Sequence, residues 1–142
     1  MSNNIVNVYK EPYIPDRNMT KTVLVVDDDE DWQKIFQSHI AHIGHLSIAY
    51  TDSDAAIEAI KDYLRYDLAL VDIELPGRDS GLEVIAESKK YNPEVPVLIV
   101  SGWPREKRVV EGHLEFFDIG KADGYIYKKD YDRNYLFRLL NE

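Results

Sequence analysis

The 142-residue chain contains no cysteine, which excludes a disulfide framework and any thiolate chemistry. Glycine and proline are sparse, at 7 and 6 residues, and neither an internal repeat nor a low-complexity tract interrupts the sequence. Long apolar runs are missing too, so no segment reaches membrane-spanning length. The polar start Met1-Ser-Asn-Asn lacks the basic and apolar regions of a signal peptide, and cytoplasmic residence is the expectation. Positive charge is in deficit: 17 Lys and Arg face 26 Asp and Glu, a net charge of −9. That balance argues against nucleic-acid binding through the bulk surface and favours divalent cations and basic partner surfaces. What is present is ordinary globular material, 44% hydrophobic and 30% charged, in a chain long enough for one domain with a real core.

The most informative stretch is Val23-Leu-Val-Val-Asp27-Asp28-Asp29, a short apolar run that ends in acids. Such a run reads as a strand buried on both faces, as in parallel sheets. Its carboxylates cannot be buried unpaired, so they must emerge where a cation, a basic side chain or water meets them. Two like charges 4–5 Å apart repel by about 3–4 kcal/mol at an effective dielectric near 20. A hard divalent cation such as Mg2+ relieves that repulsion with oxygen ligands. Asp29, Glu30 and Asp31 are explained without a ligand, as the cap and first turn of a helix.

The rest of the chain alternates. Residues 1–20 lack periodicity and carry Pro12 and Pro15, as an arm or linker would. Trp32, Ile35, Phe36, His39, Ile40 and Ile43 fall on one helical face, and Gly44 supplies the stop. Leu46 to Tyr50 is a second strand. Asp52 or Ser53 caps a second helix with Ala56, Ile57, Ile60 and Leu64 inward. Leu68 to Val71 is a third buried strand, ending in Asp72. A break at Pro76-Gly77 precedes a third helix after Gly81, with Leu82, Ile85 and Ala86 inward. Val97 to Val100 is a fourth strand, ending in Ser101-Gly102. The stretch from Arg105 to Phe117 reads as a fourth helix, Gly124 to Tyr127 as a fifth strand ending in Lys128, and Asp132 to Leu140 as a last helix burying Tyr135, Leu136, Leu139 and Leu140. Alternating strands and helices imply right-handed crossovers and an α/β doubly wound parallel sheet with helices on both faces. Ligands of such sheets bind beyond the carboxyl ends of the strands. Asp27, Asp28, Asp72, Ser101 and Lys128 all belong there.

Three carboxylates, a small hydroxyl and a lysine on one rim suit phosphoryl transfer onto an acid. A carboxylate can act as nucleophile, and the transfer needs positioning and charge neutralisation more than proton chemistry. His39, His42 and His45 sit three apart, but with Ile40 and Ile43 interleaved they read as surface or packing residues rather than a metal site.

The order Asp27-Asp28, Asp72-Ile-Glu-Leu-Pro76, Ser101-Gly102, Lys128 resembles the receiver domain (CheY-like) of two-component response regulators, over residues 21–142. The resemblance implies a flavodoxin-like five-stranded parallel sheet of order 2-1-3-4-5. It implies Asp72 as phospho-acceptor, supplied by a sensor histidine kinase or histidine phosphotransfer protein. It implies Mg2+ held by Asp28 directly, by Asp27 largely through water, by Asp72 and by the backbone carbonyl of Glu74. Lys128 would pair with the acceptor and then with the phosphoryl group, and Ser101 would move to a phosphoryl oxygen. Tyr125 would follow as the switch aromatic, although an aromatic in a strand reads equally as packing. The output would be a population shift of the face made by the fourth helix, fifth strand and fifth helix, presented to a downstream protein or to a second copy in a homodimer.

The sequence departs from the family's pattern in places. The 76–81 loop is one residue longer than usual, Glu74 adds an acid beside the acceptor, and Trp103-Pro104 brings an indole to the pocket. Lys129 stands where many members have proline, leaving the turn after Lys128 less fixed. The stretch from Trp103 to Gly124 is longer than typical. An alternative is a phosphatase of the haloacid dehalogenase type, but its Asp-x-Asp pattern wants a nearby Thr or Val and a late acidic pair, for which Asp130 and Asp132 are poor substitutes. A third reading is a receiver fold kept only for interaction. The chain ends just after the last helix, so the expectation is a stand-alone receiver or one cut from a larger protein.

Overall fold

The computed structural model describes residues 19–73, 81–103 and 121–141, with the backbone alone at 108–110 and 113–115. Strand β1 (Thr22–Val26) leads to helix α1 (Glu30–His42), then β2 (Leu46–Tyr50), α2 (Ser53–Lys61), β3 (Leu68–Asp72), α3 (Gly81–Tyr91) and β4 (Val97–Ser101). Two short strands follow, β5 (Arg108–Val110) and β6 (His113–Glu115), then β7 (Gly124–Tyr127), a 3-10 turn (Lys128–Asp130) and α4 (Arg133–Asn141). The main sheet has the order β2-β1-β3-β4-β7, parallel throughout. Counting only its own strands, this is the expected 2-1-3-4-5.

Strand alternation sends side chains to two separate cores. Leu24, Val26, Ala69, Val71 and Ile99 pack with Ala56, Ile57 and Ile60 of α2 and Val84 and Ile85 of α3. Val23, Val25, Leu70, Leu98 and Val100 pack with Phe36 and Ile40 of α1 and Leu136 and Leu140 of α4. The apolar runs of the central strands β1, β3 and β4 are therefore covered on both sides, which is why they show no polar alternation. Phe36 is fully buried, and truncating such a ring to alanine costs about 3–5 kcal/mol.

Local chemistry sets the element ends. Asp29 caps α1 by accepting from the N–H groups of Asp31 and Trp32, and Asp52 caps α2 through Ala55 at 2.8 Å. After α1, Gly44 takes φ +90°, a conformation that favours glycine. Helix α2 stops at Lys61, short of the expected Leu64, and Tyr63 turns the chain at φ +62°. In α3 the inward residues are Val84, Ile85 and Ser88, whereas Leu82 and Ala86 face solvent. The helix opens at Gly81, which sits against the backbone of Asp72 and Ile73. In α4, Leu136 and Leu140 are buried, Tyr135 is half-buried and Leu139 is 40% exposed.

The expected fourth helix over Arg105 to Phe117 is not what forms. Within it β5 and β6 pair antiparallel, Val109 opposite Leu114. The β-branched Val109-Val110 and Gly112 between the two strands both work against a helix. Among the described residues no helix lies between β4 and β7. Of the elements expected to form a partner or homodimer face, the described residues include β7 and α4.

Candidate functional site

The sheet order reverses between β1 and β3, opening a crevice beyond their carboxyl ends. Val26 pairs with Val71, so the next residues, Asp27 and Asp72, emerge side by side. Asp72 in turn pairs with Val100, and Ser101 with Tyr127, which brings Ser101 and Lys128 to the same rim.

Asp27 is fully buried and Asp72 nearly so, while Asp28 is exposed. Their carboxylate oxygens, one from each, lie within 4.8 Å of one another. Lys128 Nζ stands 3.0 Å from Asp27 Oδ2 and 3.1 Å from Asp72 Oδ2, with its side chain 11% exposed. The approach to Asp72 is a hydrogen bond, whereas the approach to Asp27 lies outside hydrogen-bond geometry and leaves Oδ2 a buried acceptor without an aligned donor. Asp27 Oδ1 accepts from the Asp29 N–H at 2.9 Å.

Burial pushes the Asp27 carboxyl up to about 6, and the neighbouring Asp72 charge adds to this against the pull of the Asp29 N–H and Lys128. Burial alone would lower the Lys128 ammonium, but Asp72 and Asp27 outweigh it and hold it above its ordinary value. One ammonium thus serves two buried carboxylates.

The donor set tests a cation directly. Three carboxylates each bring a hard oxygen donor into one cluster, and Asp27 besides keeps a buried oxygen without an aligned hydrogen-bond donor, which together suit a hard divalent ion such as Mg2+. The residues fit. Of the expected ligands, Glu74 lies outside the described residues, as does most of the 76–81 loop.

A family model described as the response regulator receiver domain matches residues 23–140. The chain belongs to the response regulator receiver domain family. Over 111 residues (78% of the chain) it is 31% identical to the transcriptional regulatory protein ZraR of Klebsiella oxytoca, spanning 24% of that protein. The chain spans less than half the length of the curated relatives it matches. Among solved structures, NtrX from Brucella abortus superposes with a TM-score of 0.68 at 31% identity, over 85% of this chain and 26% of that one. The response regulator protein TrrA from Thermotoga maritima, solved in complex with Mg2+–BeF, superposes at 0.67 and 23% identity, over 84% of this chain and 96% of that one. The last likeness concerns the fold.

In this receiver domain Ser101 is fully buried, and its Oγ accepts from the Trp103 N–H at 3.0 Å. Tyr125, half-buried, donates its hydroxyl to the Trp103 carbonyl at 2.5 Å. Trp103 therefore touches both expected switch residues through its backbone, while its indole is 42% exposed. The histidines do not gather: His39 Nδ1 meets the Tyr131 hydroxyl, and His45 bridges the Lys21 N–H and Asn141.

Other contributors carry no motif. Gln33 Nε2 donates to the Asp27 and Tyr50 carbonyls at 2.7 and 2.9 Å, tying the start of the acidic turn to β2. A Cβ at Gly81 would stand 2.2 Å from the Asp72 carbonyl oxygen. Helical spacing could have placed Gln33 beside the strand end, but no sequence signal names its acceptors.

Proposed function

We propose that Asp72 is the phospho-acceptor of a two-component phosphorelay, supplied by a phosphohistidine on a sensor histidine kinase or histidine phosphotransfer protein. The observation that carries this reading is the Lys128 ammonium standing 3.0 and 3.1 Å from Asp27 and Asp72 at the sheet's reversal point. In the transfer, the phosphorus–nitrogen bond of the donor breaks as a phosphorus–oxygen bond to Asp72 forms, and the imidazole leaves with its electron pair. Mg2+ held by Asp28, Asp27, Asp72 and the Glu74 carbonyl would supply charge neutralisation to the phosphoryl oxygens when bound.

The chain's own residues do the rest. Lys128 holds the acceptor carboxylate in place, then follows the added charge. Ser101 exchanges its Trp103 N–H for a phosphoryl oxygen to which its hydroxyl donates, and Tyr125 moves with the loop it is bonded to. The resulting population shift reaches β4, β7 and α4, where a downstream protein reads it. Hydrolysis of the acyl phosphate by the domain itself resets it. The reading places the protein in the cytoplasm, where ATP-charged histidine donors are made. No observation favours turnover of phosphate esters.

Intact mass after acetyl phosphate with Mg2+ tests the proposal. The wild type gains one base-labile phosphoryl group, Asp72→Asn gains none, and a chelator blocks the gain. Base-stable phosphate, or labelling that persists in Asp72→Asn, overturns it.

A further inference from the structure

Lys128 stands on a three-residue 3-10 turn that contains no proline and has no side-chain cap, and Lys129 and Asp130 after it are exposed. The Tyr131 N–H closes the turn onto the Lys128 carbonyl at 3.3 Å. A lysine on a flexible four-carbon stem needs more than that to stay between two carboxylates. The restraint comes from α1, whose positions 32, 36 and 39 share one face.

Trp32 and Phe36 lie 5.5 Å apart, centroid to centroid. The Tyr131 ring sits edge-on to both, at 5.9 Å from Trp32 and 5.0 Å from Phe36. It also stacks on His39 at 5.6 Å, with the Tyr131 hydroxyl 2.7 Å from His39 Nδ1. Burial, Arg133 and His42 hold the His39 ring below its usual range, and burial holds the Tyr131 phenol above its own. At neutral pH the phenol therefore donates to an uncharged imidazole. The Lys128 ammonium lies 5.4 Å from the Trp32 ring centroid, within reach of the negative face of the indole.

We propose that Trp32 is a positioning residue for Lys128, and that Tyr131 locks the pair by anchoring the turn to α1. The indole gives the ammonium a third, uncharged side between Asp27 and Asp72. Tyr131 fixes the backbone from which the lysine springs, taking the part a more rigid turn would play. The inference rests on the reading of Asp72 and Lys128 as the phosphotransfer pair.

The test uses the full chain as wild type, Trp32→Leu, Trp32→Phe, Tyr131→Leu and Tyr131→Phe, each checked for folding by thermal melting. The first readout needs neither metal nor phosphate: acetylation of Lys128 by an N-hydroxysuccinimide ester, measured on the peptide against its exposed neighbour Lys129. The second is phosphoryl uptake from acetyl phosphate with Mg2+ across donor concentrations. In Trp32→Leu, Lys128 acetylation rises and the maximal uptake rate falls, each by about five-fold. Donor half-saturation and Mg2+ affinity stay within about two-fold, since Trp32 is not among the residues proposed to hold either of them. Tyr131→Leu moves both readouts the same way, and the Phe variants, which keep a ring, return both towards wild type. Unchanged Lys128 acetylation in whichever Leu variants fold overturns the inference. A responsive lysine in a wild type that takes up no phosphate leaves the positioning intact and overturns the phosphotransfer reading instead.

Discussion

Asp27 carries the tension in the site. Its carboxylate is fully buried beside Asp72, and ligand oxygens within 4.8 Å imply a repulsion of about 3–4 kcal/mol at an effective dielectric near 20. Lys128 offsets much of this by facing both acids. Asp27→Asn removes one charge and leaves Lys128 bonded to Asp72. Its melting temperature in metal-free buffer should equal or exceed that of the wild type, while Mg2+ affinity by titration calorimetry drops about ten-fold or more through loss of one of the three carboxylates proposed to hold the ion. A variant less stable than wild type without metal would mean that the pair with Lys128 outweighs the repulsion. The acids, hydroxyl and lysine were legible in sequence because strand ends announce themselves. Gln33, Gly81 and the indole over Lys128 were not, since each acts on a neighbour that only folding supplies.

At the scale of elements, two seams fix the rim. At the first, Gly81 begins α3 against the backbone of Asp72 and Ile73, where a Cβ would meet atoms at 2.2 and 2.5 Å. Backbone cannot yield as a side chain does, so Gly81→Ala should cost about 1–3 kcal/mol or more in urea unfolding and slow phosphoryl uptake by displacing Asp72, the proposed acceptor. The second seam joins α3 to β4 and β7. Asp123 Oδ2 accepts from the Val97 N–H at 2.8 Å and pairs with Lys89 at 2.7 Å. Burial would raise its carboxyl, but the bonds from Lys89 and Val97 outweigh it and hold it below its ordinary value. A depressed folded value gives stability that is full above about pH 4, the unfolded carboxyl's range, and lost as pH falls through the folded value. Since the group is partly exposed, the effect is at most about 1 kcal/mol. Urea melts of wild type and Asp123→Asn should differ at pH 6 and converge towards pH 2–3. The hairpin of β5 and β6 shows where element reading fails. Residues 105–117 mix β-branched, charged and aromatic side chains without a clean period, so local propensity and partner strand decided between helix and hairpin.

For the whole molecule, the same sheet that buries two cores also holds three acids together. A cation that binds the folded arrangement and not the unfolded chain must therefore stabilise all of it. At a hundred times its dissociation constant, Mg2+ should add about 2.7 kcal/mol. Thermal melts should rise with Mg2+, fall back with chelator and lose the effect in a variant lacking two of the three aspartates. A rise of equal size in that variant would place the ion elsewhere.

The amino-acid sequence by itself determined the class of fold and the residue types at the strand ends, while the order of the strands came only with the resemblance to receiver domains. Buried runs ending in charge have few physical solutions, and parallel crossovers have one hand. The doubly wound parallel sheet and its acidic rim follow from that. Tertiary structure decided what periodicity cannot encode: that Asp27 is buried while Asp28 is exposed, that α3 turns Val84 inward and Leu82 out, that residues 108–110 pair with 113–115 as strands, and that an α1 indole faces Lys128. Each depends on which surface arrives opposite a side chain, and that is a property of packing between segments far apart in the chain.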